Sequence, residues 1–339
     1  MMTMWKWYAE MFHFDVRVLE DESEVNLRQR YTGGEAVRRH ACVAINMQGG
    51  GAIELWQYTD RQPQALLFDA QVGDLGIFMV KLKCHNIQEY HEEISAKCDT
   101  VTPVVTDPRG LPTFYLFDPE GNCLQVVEDN TVFIDEGHYS GGVVGAVVGV
   151  SDMEKAMTVY REILGYDELV YDKHGTFQDW HTLPGGLQGY RRVLLRKLKQ
   201  DEGHFSEFYG PSVIELVQAL DRQPRKIYEG RYWGDPGFIQ ICFDVTHMRN
   251  LEKRCNELGY PFTVDSCKDD GHFDMGEASG HFAYIEDADG TLIELVEAHK
   301  LTIMKHPHIT INMLKRDREK PFPKVFFRLM GMNKVRSKN

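Results

Sequence analysis

What the chain lacks narrows it before any motif is read. Its seven cysteines, at positions 42, 84, 98, 123, 242, 255 and 267, form no Cys-x-x-Cys pair and do not make an even count. That spacing argues against a disulfide framework or a zinc-finger cluster and predicts reduced, mostly buried thiols. No apolar run approaches the roughly 18 residues that a membrane helix needs. The opening stretch, Met1-Met2-Thr3-Met4-Trp5-Lys6-Trp7, lacks the apolar core of a signal peptide. A cytoplasmic protein with no membrane span is therefore expected. Basic charge is also short, 38 Lys and Arg against 51 Asp and Glu, for a net charge of −13. An acidic chain of this kind is a poor general binder of nucleic acid.

The basic residues present are gathered at one end. Residues 299–339 carry eleven Lys or Arg and two Asp or Glu, so this tail is +9 and the rest of the chain −22. Phe322, Val325, Phe326, Leu329 and Met330 recur at roughly helical spacing. Pro321 and Pro323 forbid a helix before position 324. A short helix packed on the acidic body, rather than on an anionic membrane, is the expectation.

At 339 residues the chain exceeds one ordinary core and suits two domains. It also repeats itself. Ile53-Glu54-Leu55-Trp56-Gln57, with Asp60-Arg61-Gln62-Pro63, returns 161 positions later as Ile214-Glu215-Leu216-Val217-Gln218, with Asp221-Arg222-Gln223-Pro224. A second pair sets Asp118 to Glu128, with Gln125 inside it, against Asp287 to Glu297, with Glu294 inside it. Each copy ends in an apolar strand that keeps one polar residue, which must face away from its aliphatic neighbours.

Four units of pattern βαβββ follow. The third is the most complete: a strand at 142–150, a helix capped by Ser151-Asp152 and ended by Gly165, then strands at 168–171, 190–198 and 212–219. The second starts with a strand at 76–84 and the fourth with one at 238–245. The first is incomplete. Tyr8 to Asp15 matches Tyr160 to Asp167 at an offset of 152, so the counterpart of the third unit's first strand would precede Met1. Either that strand is dispensable or the coding start is truncated. Its sheet should then expose an edge, which a strand from a second chain, as in a homodimer, could cover.

Gly237 to Val245, the Leu-Gly-Tyr helix end and the Asp-x-x-Gly-x-x-x-Glu-Leu segment resemble the vicinal-oxygen-chelate superfamily, which includes lactoylglutathione lyase, extradiol dioxygenases and bleomycin-resistance proteins. The resemblance covers residues 4–298 and is to a four-module member of bacterial type. It implies an α+β fold in which four βαβββ modules pair into two glyoxalase-like domains with concave mixed sheets, the first strand of module one missing. The domains expected are 1–135, with a degenerate site, and 136–299, with the working one; 300–339 is the tail.

The family takes one ligand from the first strand and one from the last strand of each module. Matched position by position, the C-terminal half offers Gly145, Glu215, Gln240 and Glu294, and the N-terminal half Glu54, Met79 and Gln125. The resemblance thus implies a metal set of Glu215, Gln240 and Glu294, all oxygen donors, with Glu215 and Glu294 also catalytic. Gly145 stands where a histidine is expected. The ion could be Zn²⁺, Ni²⁺, Mn²⁺, Mg²⁺ or iron, or there could be none. His181, His281 and Tyr284 are candidate substrate-binding residues. The function implied is a metal-dependent lyase, isomerase or epimerase acting on a small carbonyl compound. A non-haem iron ring-cleaving dioxygenase and a metal-free binding or resistance protein are the alternatives.

Overall fold

A computed structural model of the chain describes residues 1–197, 203–268, 273–274, 276, 278–304, 308–332 and 334. Module one contains helix α1 (Met2–Phe12) and strands β1 (Val16–Val25), β2 (Val37–Ile45) and β3 (Ile53–Tyr58). Module two has β4 (Gly76–Cys84), α2 (Ile87–Ser95), β5 (Val105–Thr106), β6 (Pro112–Phe117) and β7 (Cys123–Glu128). Module three has β8 (Ser140–Gly149), α3 (Met153–Met157), β9 (Glu168–Gly175), β10 (Tyr190–Arg196), the short α4 (Ser206–Tyr209) and β11 (Val213–Ala219). Module four has β12 (Gln240–Asp244), α5 (Met248–Glu257), β13 (Val264–Asp265), β14 (Phe273–Asp274), β15 (Ala278–Glu286) and β16 (Leu292–Met304). The tail adds β17 (Ile309–Asn312) and α6 (Lys324–Gly331).

Local chemistry explains the repeated wording. Asp118 and Asp287 each turn a side-chain oxygen onto the backbone N–H groups two and four residues ahead, at 2.8–3.0 Å. Each also accepts the hydroxyl of a helix tyrosine from another module, Tyr8 at 2.9 Å and Tyr160 at 3.2 Å. In the Asp-Arg-Gln-Pro pair, Arg61 grips Asp235 and Arg222 grips Asp74 at 2.5 Å. These motifs are turns and clamps that tie modules together. The Asp152 carboxylate caps α3 by accepting from Glu154 N and Lys155 N, as the sequence predicts, and a π-helical turn over Thr158–Ile163 continues it.

Two pairing networks cross in this molecule. The hydrophobic layers join neighbours in sequence. Trp5, Tyr8, Phe12 and Phe14 of module one pack with Leu82, Tyr90, Phe114 and Leu124 of module two. Val148, Tyr160, Val193 and Leu216 of module three pack with Met248, Ile285, Ile293 and Leu295 of module four. The strands join differently. Modules two and three form a single eight-stranded sheet, ordered β5-β6-β7-β4-β8-β11-β10-β9, with β4 and β8 antiparallel at its centre. Hydrogen bonds of this sheet therefore cross the 135/136 division. Module one makes a three-stranded sheet, β1-β2-β3, and module four a sheet ordered β12-β16-β15-β13. Modules one and four meet through side chains: Arg28 bonds Glu294 and Tyr284, and Tyr31 bonds Glu286.

The tail docks on the body. α6 starts after Pro323 and buries Phe326, Phe327 and Met330 against Val16, Met47, Phe133 and Phe208. Phe327 stacks on Phe208 with ring centroids 4.6 Å apart. Strand β16 runs without a break through the expected 299/300 boundary to Met304. All seven cysteines are free, four of them buried. No helix among the described residues is long and apolar enough to cross a membrane.

Candidate functional site

The crossing of sheets and cores reassigns the polar residues that the repeats preserve. Glu215 does not join Gln240 and Glu294. It lies on β11 in the eight-stranded sheet, with Gln125 of module two, because modules two and three share that sheet. Gln240 and Glu294 meet Glu54 of module one instead. The set Glu215, Gln240, Glu294 is thus split between two clusters, and Glu54, read from sequence as part of a degenerate half, belongs with the latter two.

In the first cluster Lys81 Nζ donates to Gln125 Oε1 at 2.5 Å and to Glu215 Oε2 at 2.7 Å. The other oxygen of Glu215 accepts from Arg192 Nε at 2.6 Å and Tyr171 OH at 2.7 Å. Arg192 also holds Asp179 at 2.8 Å and lies over the Trp180 ring, 3.5 Å from its centroid. Burial pushes the Glu215 carboxyl up, but Arg192 and Lys81 outweigh it and hold the group well below the usual carboxylate range. Lys81 is the residue that sequence reasoning missed. It sits two positions past Met79, on the same face of β4, and two lysines, Lys81 and Lys83, alternating with apolar residues in one strand are the available signal. The free space here is about 120 Å³.

In the second cluster, Gln240 on β12 donates from Nε2 to Glu294 Oε2 at 2.6 Å and reaches Glu54 Oε2 at 3.5 Å. Its carbonyl oxygen accepts from Trp233 Nε1 at 2.8 Å and from Tyr284 OH at 2.7 Å. Indole N–H can only donate, so Trp233 fixes which end of the amide faces the carboxylates. Arg28 donates to Glu294 at 2.7 Å and to the Tyr284 hydroxyl at 2.8 Å. Its guanidinium lies 4.5–5.1 Å from the ring centroids of Trp56, Trp233, Phe282 and Tyr284. Glu54, Gln240, Glu294, Arg28, Trp56 and Trp233 line a cavity of about 1710 Å³ with mainly apolar walls. Glu54 is exposed to the space of this cavity; the protein mass around it first, and the neighbouring Glu294 second, push its carboxyl up to about 7. The surrounding protein mass and Glu297 do the same to Asp244, which is exposed on the cavity wall.

The remaining candidates separate. Tyr284 is fully buried behind the wall and acts by holding Gln240 and Arg28. His181 is exposed and follows Trp180, away from this cluster. His281 is buried and hydrogen-bonded to Asp265 at 2.6 Å. Asp265, Cys267 and His281 place one donor atom each within 4.8 Å of one another, the one such group of three among the described residues. The second oxygen of Asp265 faces Arg249 at 3.2 Å.

Solved structures resemble this architecture. A candidate dioxygenase from Bacillus subtilis superposes with a TM-score of 0.54 at 15% identity, covering 86% of this chain and 79% of its own. Glyoxalase I from Zea mays gives a TM-score of 0.50 at 14% identity, covering 86% of each chain. These likenesses show a glyoxalase-like α+β fold. No family model matches the sequence, and neither does any curated protein.

Metal sites of the vicinal-oxygen-chelate kind need donors converging on one point, and neither cluster fits a cation as it stands. In the first, Lys81 Nζ already sits between Gln125 and Glu215, and Arg192 covers the other carboxylate oxygen. In the second, the Gln240 oxygen is committed to Trp233 and Tyr284, so the amide turns its N–H groups to Glu54 and Glu294, and Arg28 already neutralises Glu294. A histidine at position 145 is excluded by backbone: a Cβ there would stand 2.0 Å from the Val213 carbonyl oxygen. The two-histidine, one-glutamate set of a ring-cleaving dioxygenase is not assembled in either cluster.

Proposed function

We propose that the chain binds a small carbonyl compound in the cavity between modules one and four and moves a proton on it, with Glu54 as acid and base. What carries this reading is the place of Glu54: it opens onto a large, mainly apolar cavity, within reach of Gln240 and beside Glu294, with Arg28 on the same wall, and its carboxyl is pushed up to about 7. A carboxyl of that kind is both an effective base and an effective acid near neutral pH. Glu54 would take the proton from the carbon next to the carbonyl, the electron pair moving into the carbonyl oxygen. Arg28, on the same wall, is the cation available to hold that oxygen as charge develops. Return of that proton by Glu54, on the same face, to the neighbouring carbon of the enediolate gives an isomerase. Gln240 and Tyr284 keep Glu294 and Arg28 in place.

The test joins two measurements. In ¹³C-glutamate-labelled protein one side chain should titrate near 7, and the signal should vanish in Glu54→Gln. Exchange of solvent deuterium into a panel of small 2-oxo acids and hydroxyaldehydes should rise with the same midpoint and be lost in the variant. Titration of Glu54 with the ordinary carboxylates near 4 to 5 would sink the reading. The apolar lining favours a second reading, capture of an apolar ligand without turnover. That reading expects ligand-dependent fluorescence of Trp56 and Trp233 with no deuterium exchange.

A further inference from the structure

β15 turns its two faces to different neighbours. Phe282 and Tyr284 pack with Trp233 on the side of the cavity, while Ala283 and Ile285 enter the core of modules three and four. His281 alternates with Phe282 and so shares the second face. That places it across the sheet from Glu294, the cross-strand partner of Tyr284. Asp265, whose cross-strand partner is Ala283, stands on the same face as His281, one strand over.

The chain after β13 is fastened to β15 at one residue. Ser266 N donates to the Phe282 carbonyl oxygen, and Phe282 N donates to Ser266 Oγ, each at 2.9 Å. Cys267 N then donates to Asp265 Oδ1 at 2.8 Å, which bends the chain back over its own carboxylate. A carboxylate oxygen, a thiol sulfur and an imidazole nitrogen thereby come within 4.8 Å of one another. Backbone pairing places all three. The half-exposed cation nearby, Arg249, takes the far oxygen of Asp265, Oδ2, at 3.2 Å. The near oxygen, Oδ1, meets His281 Nε2 at 2.6 Å, a contact that holds only a proton. This differs from the cluster around Glu215, where Lys81 Nζ already occupies the centre.

We propose that Asp265, Cys267 and His281 form a binding site for a divalent cation of the zinc class, separate from the cavity and from both carboxylate clusters. Sulfur and imidazole donors select Zn²⁺ over Mg²⁺ or Ca²⁺. Around a tetrahedral zinc ion, with bonds of about 2.3 Å to sulfur and about 2.0–2.1 Å to nitrogen and oxygen, donors stand roughly 3.3–3.6 Å apart. The donors here, 2.6 Å apart at Asp265 and His281 and no more than 4.8 Å apart elsewhere, reach that spacing by shifts of roughly 1 Å. Binding exchanges the Cys267 S–H bond for an S–Zn bond, the proton passing to solvent, and His281 binds through a neutral ring nitrogen. Cys267 is half-buried, so the fourth position is open to water. The ion ties the chain after β13 to β15 and takes no part in proton transfer by Glu54.

The test uses the intact protein, stripped with a chelator and kept reduced. Titration with ZnCl₂ in the presence of excess Mg²⁺ should reach one Zn²⁺ per chain. Co²⁺ in its place should show the near-ultraviolet charge-transfer band of a cobalt–thiolate bond. Cys267→Ser should keep the far-ultraviolet circular dichroism of the parent, abolish that band and weaken Zn²⁺ binding at least about a hundredfold. His281→Gln should weaken it likewise; His281 is buried, so if that variant does not fold, Cys267→Ser alone decides. Cys242→Ser, on the cavity wall, should change neither measurement. Failure to bind Zn²⁺ stoichiometrically, a Co²⁺ spectrum without the thiolate band, or a band that survives Cys267→Ser or disappears in Cys242→Ser would overturn the proposal.

Discussion

Lys81 and Arg28 do the same job in two places: each brings a positive charge to carboxylates and amides that the repeats preserve. In the cluster around Glu215, both oxygens are spoken for by buried Lys81 and Arg192 and half-buried Tyr171. Lys81→Met should therefore leave the Gln125 carbonyl and one Glu215 oxygen unpaired and cost about 3–5 kcal/mol in urea unfolding. Adding Glu215→Gln should recover part of that loss, and additive losses would show the pair to be uncoupled. Glu54 behaves oppositely. Its folded-state value of about 7 lies above its ordinary 4.5, so the folded protein keeps a proton that the unfolded chain has released. The stability this gives is complete below pH 4.5 and is lost as pH rises to about 7. Glu54→Gln should thus be more stable than the parent at pH 8 and gain much less at pH 5; an equal difference at both would mean an ordinary carboxylate. The sequence shows Glu54 and Glu294 as the polar positions of strand repeats, because alternation marks them, and Gln240 through the family resemblance. It does not show Lys81 as the partner of Gln125 and Glu215, or Arg28 as that of Glu294, since one lies two positions past Met79 and the other in a loop.

Elements were more legible than partnerships. The βαβββ order, the Asp152 cap and the helix after Pro323 follow from turn residues, periodicity and proline chemistry, all local. Pairing between strands is not local, and β4 with β8 could not be read from either strand alone. β12 is shorter than the 238–245 expected, covering Gln240–Asp244, because it has a neighbour on one side only. Its amides and those of β3 should exchange faster than those of β4 and β8, which are bonded on both sides; slow exchange in all four would show both edges to be covered in solution. Helix α6 gives a sharper test. Phe327 is 1% exposed and touches Phe133 and Phe208. Phe327→Ala should cost about 3–5 kcal/mol and loosen the tail to limited proteolysis.

For the molecule as a whole, the tail's opposite charge counts for less than its apolar face. Its ion pairs, such as Lys334 with Glu136 at 2.9 Å and Arg318 with Glu297 at 2.9 Å, are partly exposed, and such pairs contribute roughly 0–1 kcal/mol each. Raising salt from about 0.02 to 1 M, which cuts the screening length to about 3 Å, should leave the tail docked, and a cleavable tail at high salt would reverse that ranking. The wider lesson is that cores follow sequence order while polar clusters cross it, so matching ligands within each half mixes two sites. The close approach of Gly145 to the Val213 carbonyl also carries a consequence for the history of the scaffold. Restoring a side chain at position 145 requires the neighbouring strand to shift, not one codon to change. With Lys81 also in place, a metal-holding centre in modules two and three would need that shift and the loss of Lys81 together, since either change alone disturbs buried structure.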